Sequence, residues 1–265
     1  MTIDCVGLLL GRKGSKGLPG KNTMKILGRP ISHYSIMAAL NSKYISDLYV
    51  STDDDKIKDE AKKFNLQIID RPDDLCTDGA LFEDALVHGY KEIIRRRNKK
   101  PDMVVILMCN VVTVDNRLID NAVDALLNDE FADSAVSVST FNMYSPLRAR
   151  KLDNKGYLQP FVPFESFGDP ATLSCDRDSQ GDVFFADMSH SVSRSRALDD
   201  IENGLLPQRW MGKKIIPVYN TYGCDIDVPW QVNASEWWLE NNGFSDSNIL
   251  IKIVKIQWLR NHSAS

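Results

Sequence analysis

Short apolar runs and longer amphipathic stretches succeed one another along the first half of the chain. The short runs predict β-strands, because a few consecutive apolar or β-branched residues fit a buried strand. The stretches between them carry apolar residues three or four positions apart, which predicts helices. The predicted strands are residues 5–10, 47–51, 66–69, 104–108 and 134–140, and the predicted helices are residues 30–40, 53–64, 81–95 and 117–127.

This alternation predicts an α/β fold, with a mostly parallel sheet and helices on both faces. Ligands bind such a sheet at the carboxyl ends of its strands. The alternation stops at residues 141–181, where proline, glycine and aromatic residues predict a loop-rich or hairpin insertion that serves as a lid or a dimer contact. Strands at 183–186 and 214–219 and a helix at 229–241 complete one domain over residues 1–245. The tail, residues 246–265, fits a strand or a helix equally well.

Composition narrows the class of protein. The 265 residues are 43% hydrophobic and 26% charged, which is typical of a globular chain long enough for one α/β domain with an insertion. A net charge of −4 argues against a general nucleic-acid binder. The sequence has no apolar run of membrane-spanning length, and its five scattered cysteines form no C-x-x-C pair. An acidic residue precedes the first apolar stretch, which is the wrong order of charges for a secretory signal, so we expect none. We therefore expect a cytoplasmic protein with reduced thiols and no membrane partner.

The strongest chemical signal is the segment GRKGSKGLPGKN, residues 11–22, directly after the first predicted strand. Its glycines let backbone N–H groups approach an anion, and its four cations would neutralise that anion. The segment lacks the spacing of a Walker loop and of a dinucleotide fingerprint. A solvated basic turn is the alternative, but the position at the end of a strand favours a phosphate site.

A second signal is Asp225-Ile226-Asp227. On an extended segment both carboxylates point to one face, where Mg²⁺ bound together with substrate phosphates would relieve their repulsion. The alternative is a surface motif in which Asp227 caps the following helix. For the acidic run at residues 52–55, helix capping is favoured over metal binding.

Other residues give weaker signals. The four histidines have no ligand-like spacing, and no serine lies in a G-x-S-x-G motif. The tryptophans of the last helix, Trp230, Trp237 and Trp238, are interpreted as core residues rather than as a stacking surface.

The sequence resembles the cytidylyltransferases that make CMP-activated acidic sugars, the CMP-sialic acid and CMP-KDO synthetases. The loop at residues 11–22, the segment VSTDDDKI at residues 50–57, Arg71-Pro72 and the late DID motif match that family in order and spacing. The resemblance covers roughly residues 3–240 and implies a fold of the nucleotide-diphospho-sugar transferase type. It also implies that residues 141–181 form the dimer contact and reach the neighbouring active site.

The resemblance implies a role for individual residues. The CTP site would contain Leu10, Arg12, Gly14, Ser15, Lys16, Gly17, Lys21, Asn22, Arg71 and Ala80. Asp225 and Asp227 would bind Mg²⁺, and the catalytic residues would be Arg12, Lys16, Lys21 and Asp227. For the acceptor site we name Cys109, Asn110, Arg148, Arg177, Phe185 and Asp187. Phe185 and Asp187 lie on the strand predicted after the insertion, and we predict that Arg148 or Arg177 reaches toward the acceptor pocket of the partner, because an arginine matches an acid group in geometry.

One segment departs from the family pattern. The family typically has LQPTSPLR after the fourth strand, where this chain has LMCNVVTVDNR, with Cys109-Asn110 in place of Gln-Pro. That position lies near the acceptor in the family, so the departure bears on the acceptor more than on the nucleotide. We therefore expect that the enzyme requires an acidic acceptor and uses N-acetylneuraminate poorly, if at all.

Together these features predict a homodimeric, Mg²⁺-dependent enzyme that transfers CMP from CTP to an acidic acceptor, a 2-keto sugar acid such as a nonulosonic acid or KDO, and releases pyrophosphate. Two alternatives remain at this point. One is a related nucleotidyltransferase that acts on a sugar phosphate or a phosphonate acid, and the other is a nucleotide-binding protein of the same fold without catalysis.

Overall fold

In a computed structural model, which describes residues 3–14 and 17–245, the chain folds around a seven-stranded sheet. The strands, in chain order, are β1 (Cys5–Leu10), β2 (Lys25–Ile26), β3 (Arg29–Pro30), β4 (Ile45–Thr52), β5 (Gln67–Asp70), β6 (Met103–Met108), β7 (Ser134–Thr140), β8 (Arg150–Leu152), β9 (Leu158–Pro160), β10 (Phe184–Arg194) and β11 (Ile215–Tyr219). The α-helices are α1 (Ile31–Asn41), α2 (Asp55–Lys63), α3 (Phe82–Arg97), α4 (Asn116–Asn128), α5 (Ser195–Asp199) and α6 (Pro229–Asn241).

The central sheet has the strand order β11-β7-β10-β6-β1-β4-β5. Its strands run parallel except β10, which pairs antiparallel with both β6 and β7. The predicted mostly parallel α/β sheet is therefore confirmed. The antiparallel strand within it was not predicted.

Helices cover both faces of the sheet, as predicted. Every residue of β1 and β6 is buried. Alternate side chains of these strands enter two cores: Leu9 and Val105 pack with α1, α2 and α4, whereas Leu8 and Ile106 pack with α3 and α5. This division follows from the twofold alternation of side chains along a strand that is buried on both faces.

The largest difference from the predicted elements is the length of β10. A strand was predicted over residues 183–186, but β10 extends to Arg194. Its second half is rich in serine, which weakens the apolar signal. Buried hydroxyl groups there are hydrogen-bonded: Ser193 donates to the Trp210 carbonyl oxygen at 2.8 Å, and Ser191 accepts from the Trp210 indole at 3.1 Å. This segment forms a strand because its backbone groups pair with a strand on either side, and not because its side chains are hydrophobic.

The insertion at residues 141–181 contains the hairpin β8–β9 and several short 3₁₀ turns, in agreement with the predicted hairpin or loop material. Leu152, Tyr157 and Leu158 of this hairpin region are about two-thirds exposed. The five cysteines are free. Within residues 3–14 and 17–245, no helix has the length and apolar character needed to cross a bilayer. The tail at 246–265 lies outside the described residues.

An irregular segment of β10 buries an ionisable side chain. The pairing of β10 with β7 shifts register between Ala186 and Ser191, and Met188 within it has a φ of 61°. His190 is 2% exposed, and neither ring nitrogen has a hydrogen-bond partner among the described residues. Burial lowers the pKa of His190 to about 4, an effect that Asp187 and Asp115 oppose.

We predict that His190 makes the fold sensitive to acid. A histidine whose pKa is lowered by folding stabilises the protein fully above its unfolded pKa of about 6.5, and this contribution is lost as the pH falls toward about 4. The free energy of unfolding should fall by about 1 kcal/mol per pH unit in that range because of this group. Urea unfolding at pH 7 and pH 5 should show a smaller pH dependence for His190→Phe than for the unmodified chain. An unchanged pH dependence would contradict the prediction.

Candidate active site

The glycine-rich loop at residues 11–22 lies at the carboxyl end of β1, as predicted. Its first residues are fixed from both sides: the Gly11 N–H donates to the Ser51 carbonyl oxygen at 3.3 Å, and the Lys13 N–H donates to Asp53 Oδ1 at 2.8 Å. The Asn22 side chain donates to the Arg12 carbonyl oxygen at 3.0 Å and so holds the two ends of the loop together. Ser15 and Lys16 lie outside the described residues.

Two glycines of this loop occupy places that no larger residue fits. A Cβ atom on Gly11 would lie 2.5 Å from the Cys109 sulfur, because the chain passes directly over the end of β6. A Cβ atom on Gly17 would lie 2.6 Å from the Asp227 carbonyl oxygen. The glycines therefore let the loop contact both β6 and the DID motif at residues 225–227.

The cations of the loop lie beside groups from two other segments. Arg12 donates to Asp78 Oδ1 at 3.0 Å, which joins the loop to the segment that contains Ala80 and leads into α3. Lys21 forms an ion pair with Asp227, and its side chain is only 12% exposed. These contacts hold Arg12 and Lys21 at the edge of the sheet where the phosphate site was predicted.

Arg71 follows β5 at the same edge. It is 9% exposed and donates from Nη2 to the Ser51 carbonyl oxygen at 2.9 Å. Burial lowers the pKa of its guanidinium group. Because β5, β4 and β1 are adjacent, Arg71 and the loop border one region above these three strands.

The DID motif is held at the edge of the sheet by a short antiparallel bridge between Val111 and Asp225. The Ile226 N–H donates to the Asn110 carbonyl oxygen at 2.9 Å, and the Asn110 side chain donates to the Ile226 carbonyl oxygen at 3.3 Å. Ile226 is fully buried, so the flanking carboxylates turn away from the core. Burial and the negative charge of Asp227 raise the pKa of Asp225.

Asp227 does not cap helix α6, so the capping interpretation of this residue is wrong. Val228 occupies the N-cap position, and Pro229 begins the helix. The Gln231 side chain accepts hydrogen bonds from the N–H groups of Asp227 and Val228 at 2.7 and 2.8 Å. The Asp227 carboxylate is therefore left to pair with Lys21.

The acidic run at residues 52–55 has the predicted capping role. Asp54 is the N-cap of α2 and accepts a hydrogen bond from the Lys56 N–H at 2.9 Å. Asp53 has a further role that was not predicted, since it accepts the Lys13 N–H and thereby fixes the glycine-rich loop.

A pocket of about 900 Å³ opens beside Asp225, on the side away from the glycine-rich loop. Its floor includes Asp187, which is 5% exposed and accepts hydrogen bonds from the Ser139 hydroxyl at 2.7 Å and the Ser189 N–H at 3.0 Å. Arg177 from the insertion also lines it and forms an ion pair with Asp178 at 3.0 Å. Aromatic side chains make up much of the remaining wall: Phe141, Tyr144, Phe185, Tyr222, Trp230 and Trp237.

Three of the residues expected at the acceptor, namely Arg177, Phe185 and Asp187, line this pocket. Arg177 lines the pocket of its own chain. The expectation that Arg148 or Arg177 reaches the pocket of a partner stays a prediction. Arg148 lies elsewhere, in a depression of about 520 Å³ within the insertion, where it is bonded to the Cys175 carbonyl oxygen.

Cys109 and Asn110 do not line the pocket, against the expectation from the sequence. Cys109 is fully buried beneath Gly11, and burial raises the pKa of its thiol to about 12. Asn110 is 8% exposed and is engaged with the DID motif. The two residues that depart from the family pattern therefore support the loop and the DID motif and do not line this pocket.

Sequence reasoning missed the tryptophans of α6 as pocket residues. Trp238 is 1% exposed and lies in the core, as interpreted, but Trp230 and Trp237 are 65% and 48% exposed and face the pocket. Their separation by seven residues, which places them on one face of the helix, was the available signal.

Comparison with solved structures identifies the fold. The structure of CMP:2-keto-3-deoxy-manno-octonic acid synthetase complexed with CTP superimposes with a TM-score of 0.64 at 15% identity, over 90% of this chain and 99% of that one. The 4-diphosphocytidyl-2C-methyl-D-erythritol synthase of Anaerococcus prevotii superimposes with a TM-score of 0.60 at 12% identity, over 90% of this chain and 97% of that one. These structures share the fold.

The sequence places the chain within one family. Residues 6–155 match the sequence model of the cytidylyltransferase family, and the chain belongs to that family. It is similar to the N-acylneuraminate cytidylyltransferase of Oncorhynchus mykiss, at 24% identity over 85% of this chain and 48% of that protein. It is also similar to the CMP-N,N'-diacetyllegionaminic acid synthase of Legionella pneumophila, at 29% identity over 58% of this chain and 65% of that protein. The chain spans about half to two-thirds of the length of these relatives.

Proposed function

We propose that this chain transfers CMP from CTP to an acidic sugar acceptor and releases pyrophosphate. The observation that carries the proposal is the contact between the glycine-rich loop and the DID motif, through Lys21 and Asp227 and the close approach of Gly17. This contact joins a cationic loop, suited to phosphates, to paired carboxylates and an adjacent pocket. Family membership and the fold support the same reaction.

The nucleotide would lie over β1, β4 and β5. Arg12 and Lys21 would neutralise the phosphates, and Arg71 and Ala80 would border the base. Leu10, Gly14, Gly17 and Asn22 would shape the loop around the triphosphate. Ser15 and Lys16 would also belong to the CTP site, and Lys16 would be one of the catalytic residues, as the resemblance implies.

The residues at the DID motif fit a magnesium ion that is held partly by substrate. Asp225 and Asp227 flank the buried Ile226, the bridge to Val111 fixes Asp225, and the negative charge of Asp227 contributes to the raised pKa of Asp225. Within residues 3–14 and 17–245 they belong to no larger cluster of metal-ligating side chains. Two carboxylates completed by phosphate oxygens and water are a common arrangement for Mg²⁺. The bound ion would supply charge neutralisation at the phosphates.

The acceptor would occupy the pocket beside Asp225. Its hydroxyl oxygen would form a bond to the α-phosphorus of CTP as the bond to pyrophosphate breaks and the hydroxyl proton is released. The chain would act mainly by alignment and by neutralising charge that develops on the phosphates. Arg177, which lines this pocket, would bind the carboxylate of the acceptor, because a guanidinium group matches a carboxylate in geometry.

Nucleotide selection tests the proposal. With a working acidic acceptor and Mg²⁺, pyrophosphate release should be faster with CTP than with UTP, GTP or ATP. Preference for one of the other nucleotides would overturn the CTP assignment. Binding of CTP without turnover of any acid, phosphonate or sugar phosphate would show a binding protein of the same fold, and turnover of a phosphonate or a sugar phosphate alone would show the related transferase.

We predict that Asp227→Asn removes activity and leaves the fold intact. The side chain is 55% exposed, so the thermal midpoint should change little. Pyrophosphate release should fall at least about 100-fold, the scale for loss of a well-placed electrostatic group. Asp59→Asn is a matched control, because Asp59 is also an exposed aspartate paired with a lysine, at 2.9 Å. Turnover of Asp227→Asn close to that of the control would rule out the metal role.

We further propose a homodimer formed through the insertion at residues 141–181. The exposed Leu152 and Leu158 pair across the β8–β9 hairpin beside Tyr157, and such apolar surface favours an interface. Light scattering at micromolar concentration should give about twice the chain mass of 29.9 kDa. Leu158→Asp should shift the protein toward the monomer, whereas a stable monomer of the unmodified chain would contradict the dimer.

A further inference from the structure

The pocket beside Asp225 is lined by five aromatic residues, here called the aromatic wall: Phe141, Phe185, Tyr222, Trp230 and Trp237. Four of them, all except Trp230, form a chain of ring contacts. The ring centroids of Trp237 and Tyr222 are 6.3 Å apart, and Phe141 lies 6.0 Å from both Tyr222 and Phe185. The wall combines residues from the insertion, from β10, from the segment before the DID motif and from α6.

Two rings of the wall, those of Trp230 and Trp237, are exposed although they lie on α6, a helix that also packs against the core. Helix α6 packs Trp238 and Leu239 into the core, yet leaves Trp230 and Trp237 65% and 48% exposed toward the pocket. Tyr222 is 56% exposed. Exposing several large rings around one cavity is unfavourable unless a ligand covers them, and it is typical of a binding surface.

The position of the aromatic wall identifies its occupant. The proposed nucleotide site lies over β1, β4 and β5, on the far side of Asp227, where the glycine-rich loop and Arg71 lie. The pocket instead adjoins β7 and β10 and meets the reaction centre at Asp225. A molecule that reacts with the nucleotide would therefore lie against the wall.

We infer that the acceptor presents apolar substituents, such as acyl or methyl groups, to the aromatic wall, and that Trp237 and Trp230 determine this specificity. The inference rests on the proposed CMP transfer. Burial of an acyl methyl group against an indole ring makes the free energy of binding more favourable, whereas a hydroxyl group placed there loses its hydrogen bonds to water. The aromatic wall, and not Cys109 or Asn110, therefore selects against an acceptor that presents hydroxyl groups at this position.

Three 2-keto acids that differ in acylation test the inference. 2-Keto-3-deoxy-manno-octonic acid carries no acyl group, N-acetylneuraminate carries one, and N,N'-diacetyllegionaminic acid carries two. The ratio kcat/KM should rise along this series, by at least about tenfold between its ends, which is the scale of discrimination by apolar groups in a pocket. Faster use of the unacylated acid than of the diacylated acid would overturn the inference.

Substitution of Trp237 tests whether the aromatic wall is responsible for the preference for acylated acids. Trp237→Ala should raise the KM for the diacylated acid by about tenfold or more, with kcat changed little, because uniform binding is lost. The KM for the unacylated acid should change much less, and Trp237→Phe should restore most of the preference. Phe131→Ala is the control, because Phe131 is a 68% exposed aromatic residue that precedes β7, at the strand end opposite to the pocket. An equal loss with every acid would contradict a specificity role.

A binding measurement separates this inference from the proposed reaction. Saturation-transfer NMR without CTP should show magnetisation passing from the protein to the acyl methyl groups of N,N'-diacetyllegionaminic acid, and Trp237→Ala should reduce it. If no acid supports pyrophosphate release but this transfer is seen, the proposed reaction is wrong and the apolar selection stands. If turnover occurs and the methyl groups receive no saturation, the inference is wrong. A Trp237→Ala variant that loses dimer mass without a selective rise in KM would assign the wall to a second copy of the chain and also overturn it.

Discussion

The arrangement of the candidate site depends on one contact between segments 206 positions apart, the glycine-rich loop and the DID motif. The ion pair of Lys21 with Asp227 is the visible link, but a partly exposed pair contributes on the order of 1 kcal/mol or less. Most of the stabilisation comes from below the ion pair, where Ile226 is fully buried and is joined to Asn110 by two hydrogen bonds. Gly17 then allows the loop to approach the Asp227 backbone, which any Cβ atom would prevent.

This contact divides the carboxyl edge of the sheet into two regions with different chemistry. Over β1, β4 and β5 the site is cationic, with Arg12, Lys21 and Arg71 held by backbone or carboxylate oxygens. Beside β7 and β10 it is aromatic, with a carboxylate at the floor. Charged phosphates favour the first region and apolar groups favour the second, so a reaction between two dissimilar substrates would occur at the paired carboxylates between them.

The sequence predicted the features that local pattern determines. The bounds of β1, β7 and α6 agree with the predicted ones, and the glycine-rich loop lies where strand alternation places it. The features that it missed depend on tertiary surroundings. Cys109 follows a strand and resembles a site residue in sequence, but the passage of Gly11 above it buries its thiol. Serine-rich residues of β10 form a central strand because neighbouring strands satisfy their backbone groups.

Helix α6 shows most clearly why burial is the hardest property to read from a sequence. Adjacent tryptophans, Trp237 and Trp238, have the same composition, propensity and neighbours, yet one faces the pocket and the other the core. A rotation of about 100° per residue separates them, and only the packing of the helix decides which direction is interior. On the pocket side the helix meets the insertion through ring contacts, since Phe141 contacts Tyr222 and Tyr222 contacts Trp237. The same insertion exposes the β8–β9 hairpin, so association of two chains there would also constrain the segment that shapes the aromatic wall.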